Sequence, residues 1–175
     1  ATCNAFELFI VRLDVEAEVV YAAAALLSED EREKAGRFVF DRDRRRFTVG
    51  RACLRELLAL KSGMRPEAVG LVYGEHGKPA LGVGMSCDDL RFNVSHSEDV
   101  AVYAMSRGHE VGVDIEAVRD MPDCDNIVAR CFSVRERAMY RSLDARDKRS
   151  AFFNGWTRKE AFVKALGVGI GHPLH

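Results

Sequence analysis

The pattern of apolar and polar residues divides the chain into short segments of both helical and strand type. Apolar residues that recur every three or four positions predict helices, and short apolar or alternating runs predict strands. Helices are predicted over Val19–Leu27, Glu29–Phe38, Arg42–Lys61, Ser133–Leu143 and Asp147–Leu166. Strands are predicted over Phe6–Leu13, Arg91–His96, Val100–Met105 and Val111–Glu116, the first of them buried. This order favours an α+β fold with antiparallel strands over βαβ crossovers.

Residues at the segment ends support these boundaries. Ser28–Glu31 and Ser133–Glu136 both have the S-x-x-E form of a capping box, which begins a helix. Gly63 is expected to end the Arg42–Lys61 helix, and Gly167 with Gly169 the last one. Two turns are also predicted, one over Tyr73–Pro79 and a hairpin turn between the last two strands over Arg107–Glu110.

Composition narrows the class of protein. The 175 residues are 47% hydrophobic and 30% charged with a net charge of -1, which excludes a disordered tail, a collagen-like fibre and a disulfide-stapled mini-protein. No apolar run reaches the roughly 18–20 residues of a membrane span, and Val19–Leu27 has no basic flank of the secretory type. The five scattered cysteines form no C-x-x-C pair, so we expect neither a zinc site nor disulfides, and a cytoplasmic location.

Basic residues are concentrated in one helix. Six arginines and a single acid lie between Arg42 and Arg55. Arginine binds phosphate through two parallel hydrogen bonds, so a phosphorylated ligand is one interpretation. Nucleic acid is a poorer one, because the pI is about 6.6 and no aromatic residues interleave with these arginines in a stacking pattern. We therefore expect a compact phosphorylated ligand.

Two acids share one face of a predicted strand. Asp114 and Glu116 are two positions apart, so both side chains point the same way while Val113 and Ile115 point to the core. Adjacent carboxylates suit a hard divalent cation such as Mg²⁺ or Mn²⁺. A solvated strand face explains this pair equally well, so the interpretation depends on a third ligand.

The last predicted helix offers that ligand. Trp156, Glu160 and Lys164 are spaced four residues apart and lie on one helical face. Either the Trp lies at the rim of a cleft, or the two charges are paired inside a site. The alternative is an ordinary surface Glu–Lys pair.

A Ser–His pair ends the Arg91–His96 strand. Ser95 and His96 are not expected to be a catalytic dyad, because the chain lacks the G-x-S-x-G motif of hydrolases. His96 is instead a candidate donor to a phosphate, beside the arginine-rich helix.

Together, four motifs resemble the surfactin-type 4′-phosphopantetheinyl transferases. The family pattern G-K-P, F-N-x-S-H-S, G-x-D-x-E and W-x-x-K-E-x-x-x-K occurs here in order. The motifs lie at Gly77–Pro79, Phe92–Ser97, Gly112–Glu116 and Trp156–Lys164. The similarity runs from about Ser28 to the chain end, and it is specific because all four motifs are present.

The resemblance implies an activity and a site. The enzyme would move the phosphopantetheine arm of coenzyme A to a serine of an acyl or peptidyl carrier protein, leaving 3′,5′-ADP. Mg²⁺, or Mn²⁺ in its place, would bind Asp114, Glu116 and Glu160, with Glu160 as the base and Lys164 on the leaving-group side. The residues expected to bind coenzyme A are Lys34, Arg46, Lys78, Ser95 and His96.

The resemblance also implies a fold of two similar α+β halves related by a pseudo-two-fold axis. They would comprise residues 1–109, which bind the coenzyme A phosphates, and 110–175, which carry the metal site. The family's second half continues into further strands, so we expect this chain to be truncated, processed or an incomplete part of a longer polypeptide. Glu31 stands where relatives often have a second base for the 3′-phosphate, a contact that Arg32 or Arg45 could supply.

Two other functions remain open from the residues alone. One is a non-catalytic module that binds coenzyme A or a carrier protein, and the other is a metal-dependent phosphohydrolase. For the transferase, the expected form is a cytoplasmic monomer that binds neither nucleic acid nor membrane. Its carrier contacts are expected within Val118–Phe132.

Overall fold

The computed structural model describes residues 6–75, 77–82 and 89–168. The strands in these ranges are β1 (Glu7–Arg12), β2 (Leu71–Tyr73), β3 (Pro79–Leu81), β4 (Leu90–Ser97) and β5 (Val100–Arg107). The helices are α1 (Ala17–Ala25), α2 (Glu29–Gly36), α3 (Asp41–Ser62), α4 (Cys124–Cys131), α5 (Val134–Arg141) and α6 (Ala145–Leu166), with a short 3₁₀ helix at Pro66–Ala68. All strand pairs are antiparallel, so the predicted α+β class is confirmed.

The main sheet has three strands in the order β1-β5-β4. Tyr103 lies in its centre, opposite Phe9 of β1 and Val94 of β4, and is fully buried. On this face the sheet packs against α1 and α3 through a continuous apolar core. The Tyr103 hydroxyl donates to the Gly50 carbonyl at 2.7 Å, which ties the sheet to α3.

The first strand is confirmed, but the prediction that it is buried was wrong. Its residues alternate between half-buried and exposed, and the Leu8 and Ile10 side chains are 61% and 69% exposed. The reason is that β1 is at the edge of the sheet and only its other face, with Phe9 and Val11, contacts the core. An apolar run predicts a strand, but it does not tell how many faces are covered.

A second core holds α4, α5 and α6 together. Its centre is Phe152, which stacks on Phe132 and Trp156 at ring separations of 6.3 and 6.2 Å. Helix α4 was not predicted from the sequence. It packs here through Val128, which is 3% exposed.

The helix ends agree closely with the predicted signals. In both predicted capping boxes the serine accepts from the glutamate N–H and the glutamate accepts from the serine N–H. Gly63 and Gly167 end α3 and α6 with φ of 70° and 72°, the left-handed region that glycine adopts without strain. Gly169 lies outside the described residues.

The same succession of helices occurs twice. An eight-residue helix that begins in a capping box precedes a 22-residue helix ended by glycine, first as α2 and α3 and then as α5 and α6. The division into residues 1–109 and 110–175 stays a prediction with which this repetition agrees.

The predicted strand at Val111–Glu116 is absent as a sheet strand. The segment has no backbone ladder bonds to other described residues, and Val113 and Ile115 are half-buried. Arg107–Glu110 is therefore not a hairpin turn between two strands, and the turn after β4 lies at Glu98 and Asp99 instead. The alternation of residue types located the segment correctly but not its hydrogen-bond partners, which are side chains.

The other predicted turn connects two strands. Residues between Tyr73 and Pro79 join β2 to β3, and Gly77 has a φ of 77°. His76 lies outside the described residues. Among the described helices, none combines the length and the apolar character needed to cross a membrane.

Candidate active site

The acidic segment, residues 111–117, lies along β4 and is held by side chains. Its amides of Val113, Ile115 and Ala117 donate to side-chain oxygens of β4, at distances of 2.9, 3.3 and 2.9 Å. The acceptors are Asn93 Oδ1, Ser95 Oγ and Ser97 Oγ. The segment thereby places its two acids, Asp114 and Glu116, beside the serine hydroxyls of β4.

Both acids point to the same side, as predicted. Ser95 Oγ donates to Asp114 Oδ1 at 2.9 Å, and Ser97 Oγ donates to Glu116 Oε2 at 3.3 Å. The Asp114 side chain is 5% exposed. The interpretation as a solvated strand face therefore fails for Asp114.

Helix α6 brings the remaining two residues to these acids. Lys164 Nζ lies 2.5 Å from Asp114 Oδ1 and 3.0 Å from Ser95 Oγ. Glu160, one turn earlier, is 7% exposed. Lys164 is thus paired inside the site, but its partner is Asp114 of the acidic segment, while Trp156 packs against the second core.

A glycine permits this close approach. A Cβ on Gly112 would lie 1.9 Å from the Ala161 carbonyl oxygen and 2.4 Å from the Ala165 nitrogen. Both atoms belong to the backbone of α6, so a side chain at this position cannot be accommodated by rotation of a neighbour. Gly112 is thus a site residue whose role sequence reasoning missed, although it lies in the quoted G-x-D-x-E motif.

The acids repel one another in this setting. Burial raises the pKa of Glu160, and the nearby Asp114 and Glu116 carboxylates raise it further, while Lys164 opposes the rise. Asp114 Oδ2 and Glu160 Oε1 are buried and have no hydrogen-bond partner among the described residues. A buried carboxylate oxygen without a partner is costly, and a cation is the ligand that compensates it.

The donor set therefore fits a hard divalent ion. Asp114, Glu116 and Glu160 supply oxygens only, which Mg²⁺ and Mn²⁺ prefer. Within the described ranges, no three or more His, Cys, Asp or Glu residues are already grouped as a metal site requires. Asp114 and Glu116 are nevertheless close enough to raise the pKa of Glu160, while coordination of a metal by these three residues stays a prediction.

Three of the six arginines in this helix serve the fold. Arg55 is 2% exposed, and its Nε donates to Glu31 Oε2 at 2.6 Å; Arg51 Nε lies 3.6 Å from the other oxygen of Glu31. Arg45 donates to the Val15 carbonyl at 2.8 Å. Glu31 is thus engaged in a buried ion-pair cluster, and Arg45 is turned toward a backbone carbonyl.

Two of the predicted phosphate-binding residues lie near this helix. Arg46 is 20% exposed and its Nη2 pairs with Asp99 Oδ1 at 2.7 Å. The exposed Lys34 places its ammonium 5.4 Å from the centre of the Phe47 ring. His96 is exposed near the end of β4, beside the turn that carries Asp99.

Lys78 has two partners near α6. Its Nζ donates to Glu110 Oε2 at 2.8 Å and to the Ala165 carbonyl at 3.0 Å, and its hydrogen bond lowers the pKa of Glu110. Lys78 is therefore placed beside the acidic segment and the end of α6, whereas Lys34 contacts α3. Their joint role in coenzyme binding stays a prediction.

An apolar groove lies elsewhere on the second core. It runs between α5 and α6, with Phe132, Met139 and Phe162 among its lining residues. None of the three acids lines it. The predicted site residues therefore lie apart from this groove, between β4, the acidic segment and α6.

Sequence comparisons identify two family models along the chain. Residues 15–108 match the "4'-phosphopantetheinyl transferase, N-terminal" model, and residues 110–175 match the "4'-phosphopantetheinyl transferase superfamily" model. The first covers more than half of the chain.

Characterised relatives agree with these models. The chain is 40% identical over 163 residues to the 4′-phosphopantetheinyl transferase HetI of Nostoc sp., covering 93% of this chain and 69% of HetI. It is 33% identical to the human L-aminoadipate-semialdehyde dehydrogenase-phosphopantetheinyl transferase, covering 87% of this chain and 52% of the relative. It is 31% identical to a Bacillus subtilis 4′-phosphopantetheinyl transferase, covering 86% and 64%. The chain thus spans about half to two thirds of the length of these relatives.

Proposed function

Because the chain belongs to the 4′-phosphopantetheinyl transferase superfamily, we propose that it moves the phosphopantetheine arm of coenzyme A to a carrier-protein serine. The observation that carries this proposal is that Asp114 lies close to both Glu160 and Lys164, although they are far apart in the part of the chain that matches the second family model. The relatives are named as transferases, which does not favour a binding module or a phosphohydrolase.

In the proposed reaction, the serine oxygen of an acyl or peptidyl carrier protein bonds to the phosphorus that bears the pantetheine arm. The bond from that phosphorus to the bridging oxygen breaks, and 3′,5′-ADP leaves. Such a displacement needs orientation of the reactants and stabilisation of charge more than covalent help from the protein. The described site has both an acidic and a basic side for this task.

Glu160 is the proposed base. The serine hydroxyl must lose its proton, and a carboxylate with a raised pKa is a better acceptor than an ordinary one. Burial beside Asp114 provides this rise. Lys164 lies one turn further on α6, where its ammonium would stabilise the leaving phosphate.

Asp114, Glu116 and Glu160 would hold the Mg²⁺, with Mn²⁺ as a substitute. When bound, the ion supplies positive charge for the pyrophosphate oxygens. The two buried, unpartnered oxygens of Asp114 and Glu160 support this assignment.

The coenzyme phosphates would be bound from the other side by Lys34, Arg46 and His96, with Lys78 and Ser95 closer to the acids. Arg46 must then exchange its partner Asp99 for a phosphate, which arginine geometry favours. The proposal includes a cytoplasmic monomer organised as halves 1–109 and 110–175. Carrier contacts are proposed for Val118–Phe132, which contains α4.

Mass spectrometry tests the transfer. Protein incubated with coenzyme A, Mg²⁺ and an apo carrier should add a phosphopantetheine mass to the carrier, and Asp114→Ala or Glu160→Ala should abolish it. Arg46→Ala should mainly weaken coenzyme A binding. Asp89→Ala is the matched control, since Asp89 and its partner Arg107 form a surface pair outside the proposed site. Coenzyme A binding without transfer would select the binding module, and product release without a carrier would select the phosphohydrolase.

A further inference from the structure

We infer that Asn93, Ser95 and Ser97 are positioning residues, whose side chains form a ladder that sets the orientation of the two acids on segment 111–117. The inference rests on the proposed function, because it concerns the acids proposed to bind the metal. The ladder has a constant register, since each β4 residue bonds to the amide twenty positions later.

The ladder differs from an ordinary sheet. Side chains two residues apart in a strand project from the same sheet face, so Asn93, Ser95 and Ser97 carry the segment over the face and not along the edge. The amides of Val113, Ile115 and Ala117 find side-chain oxygens where a sheet strand would use backbone carbonyls.

The two serines have a second task. A hydroxyl has one proton to donate and two lone pairs to accept. Ser95 Oγ uses all three, because it donates to Asp114 and accepts from both Ile115 N and Lys164 Nζ. It thus holds the backbone and the carboxylate of the segment with one atom.

Ser97 repeats the arrangement two residues on. Its Oγ accepts from Ala117 N at 2.9 Å and donates to Glu116 Oε2 at 3.3 Å. In each serine–acid pair, the hydroxyl donates to one of the two carboxylate oxygens. For Asp114 the other oxygen is then the buried one without a partner, which is the oxygen available for a cation.

Asn93 completes the ladder at its first step. It is 3% exposed, and its Oδ1 accepts from Val113 N at 2.9 Å. The residue of the segment that Asn93 holds is Val113, which is not an acid. Asn93 therefore sets the start of the register, and the two serines set both register and carboxylate orientation.

Ser97 offers the sharpest test, because it is half-buried and tolerates a methyl group better than the buried Ser95. Ser97→Ala removes the hydroxyl, and Ser97→Thr keeps it. Ser62→Ala is the matched control, since that hydroxyl donates to the Leu58 carbonyl within α3. Two readouts are compared: hydrogen exchange of the Ala117 amide, and Mn²⁺ affinity from the paramagnetic resonance of the free ion.

We expect Ser97→Ala to speed exchange at Ala117 by about tenfold or more, because a protected amide becomes open to water. Mn²⁺ affinity should fall about tenfold or more, as for loss of an outer-shell partner. Ser97→Thr should restore both values, and Ser62→Ala should change neither. Coenzyme A binding without metal should be the same in all four proteins.

Unchanged exchange at Ala117 in Ser97→Ala would overturn the ladder. Faster exchange with unchanged Mn²⁺ affinity would overturn the positioning role. The exchange measurement needs no metal, so it decides the ladder even if the unsubstituted protein binds no Mn²⁺. Failure of the unsubstituted protein to bind Mn²⁺ would instead count against the proposed metal-dependent function.

Discussion

At the scale of single residues, burial decides what each charge does. Glu31 and Glu33 are two positions apart on α2, yet the Glu31 side chain is 7% exposed and the Glu33 side chain 66%. Glu31 caps the helix and pairs with Arg55, whereas Glu33 forms a surface pair with Arg37. The sequence identifies both as acids of one helix and does not distinguish them.

Removing the buried acid should cost far more stability than removing the exposed one. Glu31→Ala leaves the Arg55 guanidinium buried without its charge partner, so we expect a loss of about 3–5 kcal/mol in the free energy of unfolding. Glu33→Ala should lose less than about 1 kcal/mol. Urea unfolding followed by circular dichroism measures both. Equal losses would show that the buried ion pair contributes no more than the surface one.

Glu160 should destabilise the metal-free protein at neutral pH. Its pKa is raised in the fold, so the folded state binds more protons than the unfolded state between the ordinary and the raised value. Stability therefore falls as pH rises through this window. Glu160→Gln should raise the Tm in a chelator at pH 7.5, by about 2–4 °C for each kcal/mol gained. This increase in Tm should become smaller as the pH is lowered toward the ordinary glutamate pKa of about 4.3.

Glu136→Gln is the control with the opposite sign. Burial would raise the pKa of Glu136, but hydrogen bonds with Lys159 and Ser133 outweigh it and lower the pKa. Its charge therefore stabilises the fold above the ordinary pKa, and this contribution is lost as pH falls through the lowered value. The substitution should lower the Tm at pH 7.5. A Tm that moves in the same direction for both variants would contradict the assignment.

At the scale of elements, the site depends on contact between the acidic segment and α6. Gly112 lies so close to the backbone at Ala161 and Ala165 that no side chain fits. Through this contact, Asp114 meets Lys164, and Glu160 comes close to both acids. A local change of one atom can therefore separate the two elements.

Gly112→Ala should separate them. The methyl group would overlap two backbone atoms, so we expect a loss of more than about 2 kcal/mol in the free energy of unfolding, together with loss of Mn²⁺ binding. Gly36→Ala is the matched control, because its Cβ would meet no atom within 4 Å and φ there is not positive. That change should be neutral or stabilising by up to about 1 kcal/mol. Retained Mn²⁺ affinity in Gly112→Ala would refute the dependence on close contact.

Elements with local signals were predictable, and those with distant partners were not. The capping boxes at Ser28 and Ser133 and the glycines at 63 and 167 act within a few residues, so α2, α3, α5 and α6 could be located. The acidic segment was located too, but its bonds go to residues twenty positions away. The alternation of residue types along a segment shows which side chains share a face, but it does not show which residues pack against that face.

At the scale of the whole molecule, two apolar cores hold the described residues together, and the outer face of β1 is open. The first core joins the sheet to α1 and α3, and the second joins α4 to α6. Phe6, Leu8 and Ile10 lie outside both, with 63%, 61% and 69% of their side chains exposed. A patch of neighbouring large apolar side chains is unusual for a free protein surface.

This face should bind a hydrophobic dye. The double variant Leu8→Thr, Ile10→Thr should lower the fluorescence of bound anilinonaphthalene sulfonate with little change in Tm, because threonine keeps the strand preference. Val11→Thr is the control on the opposite face, which packs against the first core. It should lower stability by about 1 kcal/mol or more. Dye fluorescence unaffected by the double variant would show that the face is covered in solution.

The sequence by itself determined the fold class, most helix ends, the family and the residues brought together at the acids. These properties depend on local hydrogen bonds, on periodic patterns and on motifs that are read along the chain. The tertiary structure decided which acids are buried, which arginines serve the fold and how segment 111–117 is held. The physical reason is that burial and the choice of a hydrogen-bond partner depend on residues far apart in the chain, whose proximity no local pattern records.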